Sequence, residues 1–465
     1  MRLSRQIYAV MQGDGKEAAR RSRNTPRPGR HDHARSVCRG GHTPCLVPPE
    51  NHRDPHFSHL VHKVLDDLKY LFKTKEGQCF VFPGAFHSRD RVRMLHSWCH
   101  TLGAAVLHRA HSPIDLVFLL TPLACVCAAT GTGAWEAGLT NTLSPGDKVV
   151  CFRYGQFSHL WIDQAQRLGL DVTVLEEPWG SGANEERLRQ VLAADKGKTI
   201  KAVMVVHNET TTGVTSDIGG VRAAMDAVQH PALLLVDGVS SIGSCDFRMD
   251  EWRVDVAMTG SQKALSLPTG LGLVCVSKKA LEASKKATLP RVFFSLADMQ
   301  RMNAQGTFPY TPSVPLLYGL DESLAMLREE GLDNALARHQ NLADATRAAV
   351  KAWNLQLLCS QPRWNSNSLT VVKAPPGVDT TAMVRRAYNY YNLSLGLGLS
   401  ELAGKVFRIG HIGSSDAVTQ LGGLAGTEMV LRDMGYTGFT PGAGVGAAVE
   451  LLRSRAQRIP TRTTD

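Results

Sequence analysis

The sequence predicts an α/β fold: a large domain built on a mostly parallel sheet covered by helices, then a smaller C-terminal α+β domain. Three observations predict it. From Thr130 onward, apolar segments of strand length alternate with amphipathic segments of helix length. The strand segments are apolar throughout rather than every second residue, as a sheet buried on both faces requires. After Tyr318 a second compositional block begins, opening on a helical stretch from Leu320 to Val350 and alternating strands and helices to about Leu452.

In chain order, residues 1–50 are rich in Arg, Gly, Pro and His without periodicity, and read as an atypical basic, disordered extension. Leu60 to Phe72 places Leu60, Val61, Val64, Leu65, Leu68, Leu71 and Phe72 on one helical face. Glu76-Gly77 ends that helix, and Cys79–Phe82 reads as a short strand. Residues 84–129 fit no regular element, an insertion of a kind rare inside compact domains. The strands that follow are Lys148–Phe152, Val172–Leu175, Ile200–His207, Ala232–Val236, Val254–Thr259 and Leu271–Val276. Helices Phe157–Leu168, Glu185–Ala194 and Gly220–Val228 lie between them. The large domain is therefore set at 51–318, with 84–129 as its insertion, and the small one at 319–465.

Bulk properties exclude several classes. The formal charge of +10 is confined to residues 1–110, which hold 19 Lys+Arg against 9 Asp+Glu; the remainder is balanced at 33 and 33. A basic, Ser-containing start suggests a nucleic-acid arm or a transit peptide. The first lacks interleaved aromatics, and Asp14, Glu17 and Asp32 weaken the second, so no nucleic-acid partner is expected. The longest apolar run, Leu116 to Ala129, is shorter than the roughly 20 residues of a membrane span and contains Thr121 and Pro122. Ten cysteines without a CxxC pair, and histidines without HExxH spacing, imply buried reduced thiols, an intracellular protein and no metal.

Chemistry concentrates at the strand ends, where ligands sit in open α/β sheets. Thr130-Gly131-Thr132-Gly133 runs into a helix start, whose free N–H groups and dipole suit an anion; alone, such a turn is common. Asp237 closes Leu233-Leu234-Leu235-Val236 and is either a helix cap or the partner of a protonated ring nitrogen. Lys263 follows Val256–Gly260, Ser261 and Gln262; it is either a snorkelling lysine or a desolvated amine able to bond covalently to an aldehyde. An anion cup, an acidic strand end and then a lysine 26 residues further on is the arrangement pyridoxal phosphate needs.

At this point the chain resembles the class V aminotransferases, pyridoxal-phosphate-dependent transferases of fold type I, and among them the plant-type serine–glyoxylate (alanine–glyoxylate) branch. The stretches that carry the likeness are TGTGAWEAGLTNTLSPGD (130–147), HNETTTGVTSD (207–217), LLLVDGVSSI (233–242), DFRMDEWRVDVAMTGSQKALSLPTGLG (246–272), PYTPSVPLLYGL (309–320) and YNLSLGLGLSELAGKVFRIGHIG (391–413). The resemblance implies transfer of the amino group of L-serine or L-alanine to glyoxylate by a photorespiratory homodimer. It makes Lys263 the cofactor-bearing lysine and proton shuttle, and Asp237 the partner of the pyridine nitrogen. Thr130, Gly131, Thr132 and Gln262 fall on phosphate-binding positions, with Thr311 reaching the phosphate from the other subunit. Phe157 would stack on the ring, Val239 would pack on its other face, and Thr210 would lie near the cofactor hydroxyl and the substrate. Arg408 would hold the substrate carboxylate as a planar fork.

Two segments depart from the family, 1–50 and 84–129, and both read as gene-model artefacts, a wrong start and a translated intron. They raise the rival of a catalytically impaired isoform. A cysteine desulfurase is the other rival, with Cys359 the nearest cysteine before Arg408. Peroxisomal residence is implied by resemblance alone, because the chain ends Thr463-Thr464-Asp465 and lacks the targeting tripeptide; cytoplasm or mitochondrion are the alternatives.

Overall fold

Residues 55–83 and 130–456 are described by the computed structural model; the 1–50 and 84–129 readings fall outside them. Helix α1 (Pro55–Phe72) buries Phe57 and every residue of the predicted face from Leu60 to Phe72. It starts at Pro55, five residues before Leu60; proline suits a first helical turn because its missing N–H has no partner there in any case. Strand β1 (Gln78–Pro83) follows. From the site onward come α2 (Gly131–Thr142), β2 (Lys148–Arg153), α3 (Gln156–Arg167), β3 (Asp171–Glu176), α4 (Glu185–Ala194) and β4 (Ile200–Val206). A small hairpin, β5 (Asn208–Glu209) with β6 (Val214–Thr215), leads to α5 (Ile218–Ala227), β7 (Leu233–Asp237), β8 (Val256–Gly260) and β9 (Leu271–Val276).

These strands form a seven-stranded sheet in the order β1-β9-β8-β7-β4-β2-β3. Strands β3, β2, β4, β7 and β8 run parallel. Strand β9 is antiparallel to β8, and β1 to β9. The sheet is thus mixed at one edge, a detail that uniformly apolar strands leave open. Because β3 lies on one side of β2 and β4 on the other, the chain reverses its direction of winding between β2 and β4, the kind of position at whose carboxyl ends open α/β sheets bind ligands.

Four helices continue the chain: α6 (Lys278–Ser284), α7 (Leu296–Asn303), α8 (Val314–Glu330) and α9 (Leu332–Ala352). The single helix expected over Leu320–Val350 is therefore two, broken at Gly331, whose φ of +84° only glycine adopts without strain. Helix α8 passes through residue 318, and its Leu316, Leu317, Leu320, Leu324 and Leu327 pack with the core of the large sheet. Packing changes over later, along α9: Ala335 belongs to the large core, Ala345 and Ala349 to a second one. That second core lies under a three-stranded sheet of β10 (Leu369–Lys373), β12 (Val406–Gly410) and β11 (Gly396–Leu397), with β12 in the middle. Helices α10 (Thr380–Tyr391), α11 (Ala417–Asp433) and α12 (Ala443–Ser454) cover it. Glu428 of α11 fixes α12 by accepting the Gly442, Gly444 and Val445 amides at 2.7, 2.8 and 3.1 Å, so a carboxylate caps an N-terminus that no side chain of its own caps.

Phe407 anchors β12 in this second core and has no exposed surface. Phe407→Ala should cost about 3–5 kcal/mol through lost burial and the cavity left behind. An unchanged urea-unfolding midpoint would contradict that packing.

Candidate active site

Strand β7 is buried along its whole length and ends in Asp237, 3% exposed. Burial pushes its carboxyl up to about 7, against the pull of the Val239 amide, which donates to Oδ1 at 2.8 Å. A carboxylate held in this state calls for a cationic partner, as a protonated ring nitrogen would be. On the neighbouring strand, β8 ends at Gly260 and turns through Ser261 and Gln262 into Lys263. The Lys263 amine is lowered, first by burial and then by the nearby Arg408 guanidinium, and among the described residues it forms no ion pair. Such an amine is held toward its neutral, nucleophilic form. The turn is fixed by its own hydrogen bonds: Ser266 donates its amide to the Lys263 carbonyl at 2.9 Å, and Ser261 Oγ donates to the Pro268 carbonyl at 2.8 Å.

Helix α2 opens beside that turn. Thr130 is its cap, with Oγ1 accepting the Thr132 amide at 3.2 Å. Gly131 has no room for a side chain, since a Cβ there would sit 2.2 Å from Val239 Cγ2. A Cβ on Gly260 would meet Gln262 Oε1 at 2.7 Å and the Gly131 nitrogen at 3.3 Å. The Gln262 side chain therefore lies over the helix start, and its Oε1 is buried without a protein partner. A helix N-terminus, two glycines and a lone amide form a cup suited to a phosphate.

Further residues come from β12, the β5–β6 hairpin and the start of α3. Arg408 is half-buried; its Nε donates to the Leu397 carbonyl at 2.8 Å and its Nη1 to the Thr210 carbonyl at 3.1 Å. It makes no ion pair among the described residues, and burial lowers it while Glu209 works the other way. This leaves a desolvated planar cation for a ligand carboxylate. Phe157 sits half-buried in the first turn of α3.

Asp237, Val239, Gly131, Gln262 and Lys263 thus share one edge of the sheet, with Arg408 beside Lys263 and hydrogen-bonded to Thr210. Thr311 stands exposed between α7 and α8, and no hydrogen bond joins it to this set. Sequence reasoning missed Glu209, which is fully buried at the end of β5 and donates no side-chain proton but accepts three amides. It also missed Ser266, whose Oγ accepts the Ser414 amide at 2.9 Å. The signal for Glu209 was present: like Asp237, it is a carboxylate shortly after an apolar strand.

A desolvated lysine and a buried carboxyl on adjacent parallel strand ends, facing an anion cup, place the chain among the fold type I transferases that work with pyridoxal phosphate. The comparisons agree and are narrower. The family described as aminotransferase class-V matches residues 126–385. The serine–glyoxylate aminotransferase of Methylorubrum extorquens is 50% identical over 413 residues, covering 88% of this chain and 91% of that protein. The serine–glyoxylate aminotransferase of Arabidopsis thaliana is 49% identical, covering 89% and 92%. Among solved structures, an alanine–glyoxylate aminotransferase from Nostoc sp. aligns at 28% identity with a TM-score of 0.69, over 83% of this chain and 90% of that one. The chain belongs to the class V aminotransferases, and its cofactor is pyridoxal phosphate.

The cup's closure gives a direct test. Gly131→Ala should force Val239 aside and weaken cofactor binding by about tenfold or more, a loss of roughly 1.4 kcal/mol. Adding Val239→Ala removes the γ-methyl groups and should recover most of that loss. Cofactor titration of both variants checks it, and equal affinities would refute the contact.

Proposed function

We propose that the enzyme transfers the amino group of L-serine, or of L-alanine, to glyoxylate, giving hydroxypyruvate or pyruvate together with glycine. The observation that carries this reading is Arg408, a half-buried guanidinium without a carboxylate partner among the described residues, beside the neutral-leaning Lys263. Serine, alanine and glyoxylate each carry one carboxylate that such a fork could grip, and the relatives named for glyoxylate support the acceptor.

In this reading pyridoxal phosphate, when bound, supplies the electron sink that lets a Cα–H bond break. Asp237 holds the proton on the ring nitrogen, its ionised form favoured once that cation is beside it. Thr130, Gly131, Thr132 and Gln262 hold the phosphate. Phe157 and Val239 would flank the ring, and Thr210 would lie near the cofactor hydroxyl and the substrate. Arg408 orients the substrate so that Cα–H faces Lys263 Nζ, which removes and returns the proton. We read the working unit as a homodimer; the exposure of Thr311 on its own chain supports delivery to the phosphate of a second copy. A photorespiratory role in the peroxisome is proposed on the family likeness, and cell fractionation tests it.

The desulfurase alternative needs an activated thiol. Cys359 donates to the Gln361 carbonyl at 3.3 Å, and burial pushes its thiol up, the opposite of activation. Among the described residues no cluster of three or more His, Cys, Asp or Glu could hold a metal, and no helix is long and apolar enough to cross a membrane.

A donor–acceptor panel decides the reading: serine or alanine with glyoxylate should give the highest kcat/KM, and an enzyme inert toward glyoxylate would sink it. Lys263→Ala should abolish turnover and the visible band of the loaded protein; retained wild-type turnover would defeat its assignment. Arg408→Lys keeps the charge but loses the fork. It should cost on the order of 1.5–3 kcal/mol in kcat/KM for donor and acceptor alike, with the visible band intact. If cofactor binding collapsed while both substrate affinities held, the carboxylate anchor would lie elsewhere.

A further inference from the structure

Glu209 is a fully buried acidic group that the reaction described above does not use. Its side chain is fully inaccessible, and among the described residues no Lys, Arg or His lies within ion-pair distance of it. Isolation of this kind is costly unless hydrogen bonds replace the lost water. Here three backbone amides do so: Phe157 donates to Oε1 at 3.4 Å, Thr211 to Oε1 at 3.0 Å and Ser158 to Oε2 at 2.9 Å. Two of the three belong to the first turn of α3, where N–H groups are free and the helix dipole favours negative charge.

Helix α3 is built to receive this group. Its cap residue is Gly155, which has no side chain to offer, and a Cβ there would fall 2.4 Å from Glu209 Cγ and Cδ. The glycine leaves the space that the carboxylate fills, so the cap arrives from a segment about 50 residues away rather than from the preceding residue. Thr211 strengthens the joint, since its Oγ1 accepts the Gln156 amide at 3.3 Å. The next residue along from Glu209 is Thr210, whose carbonyl accepts Arg408 Nη1 at 3.1 Å.

We infer that Glu209 is a positioning residue: its carboxylate locks the helix start bearing Phe157 to the hairpin whose Thr210 carbonyl aims Arg408, so that the ring wall and the carboxylate fork are set together. The inference rests on the proposed roles of Phe157 and Arg408. Its charge also acts on Arg408 directly, opposing the effect of burial on that guanidinium. A helix cap alone would stabilise α3 and nothing more. A lock between two walls has a further signature, because its loss should loosen cofactor and substrate at once.

The test separates these roles with a rescue. Glu209→Ala should raise the cofactor dissociation constant and the KM of the amino donor each by about tenfold, the size expected for losing a hydrogen-bonded charged group. Adding Gly155→Asn to Glu209→Ala puts a local cap in the vacated space. The thermal midpoint of the cofactor-free double variant should return toward wild type, while both constants stay raised. If the double variant regained both constants with its midpoint, or if Glu209→Ala left them unchanged, Glu209 would be a helix cap only. Should the alanine variant not fold, Glu209→Gln keeps the shape and one acceptor oxygen; raised constants support the lock and unchanged ones overturn it. Cofactor affinity and thermal midpoint do not depend on which donor is used, so a failed donor assignment would show in the wild-type panel and not here.

Discussion

Desolvation of charge at the carboxyl edge of one parallel sheet is the constraint on which the rest of the site depends. Strands β4, β7 and β8 are apolar and buried, so the first polar residues past their ends have little water to meet. Parallel winding puts all of those ends on the same edge. Asp237 therefore feels both Glu209, which works with burial, and Lys263, which works against it. The Asp237 carboxyl rises, the Lys263 amine falls and the Arg408 guanidinium falls, in each case with burial as the largest cause. A group carrying a ring cation, an aldehyde and a phosphate would suit Asp237, Lys263 and the α2 start in turn.

The anion cup illustrates how close packing serves that chemistry. Gly131 has to be a glycine because Val239 occupies the place its side chain would take, and a Cβ on Gly260 would press on the Gln262 amide. Val239 is itself held by the hydrogen bond its amide donates to Asp237 Oδ1, so the wall that shapes the cup and the buried carboxyl are neighbours on one short loop. The unpartnered Gln262 oxygen over this cup is an unfavourable feature of the protein alone. It marks a place where polar contacts are reserved for a ligand.

Much of this was legible in the sequence, for identifiable reasons. A strand buried on both faces has no polar residue until it ends, so Asp237 stands out after Leu233–Val236, and Lys263 stands out soon after Val256–Gly260. Helix faces such as Leu60 to Phe72 were legible because their period is unmistakable. The antiparallel placement of β9 and β1 was not, since an apolar strand reads the same in either direction. The break at Gly331 was hidden because apolar spacing continues on both sides of it. Glu209, though a carboxylate shortly after an apolar strand, lies inside the polar run from His207 to Thr212, in which composition gives no residue precedence. Only the fold reveals that this carboxylate meets the start of α3, and Arg408 owed its prominence to family likeness rather than to any local pattern.

The turn bearing Lys263 and the loop that follows Arg408's strand are joined by contacts outside both of those side chains. Ser266 adopts a φ of +54°, uncommon for a residue with a Cβ, and this turns its hydroxyl toward the loop after β12. There it accepts the Ser414 amide, while Gly413 packs so closely that a Cβ on it would lie 2.6 Å from Ser266 Oγ and 3.4 Å from the Lys263 carbonyl. The same loop is held from α9: His339 Nε2 accepts the Gly413 amide at 3.0 Å, and Arg338 donates to the Gly413 and Ser415 carbonyls at 2.8 and 2.9 Å. Glu330 in turn holds Arg338 through two hydrogen bonds, at 2.6 and 2.8 Å. Movement of β12 relative to the lysine turn must therefore break several polar contacts of one loop together. In the proposed reaction, proton transfer at Lys263 to a substrate held by Arg408 would require their separation to be reproducible, and these contacts restrain the two loops from outside both side chains.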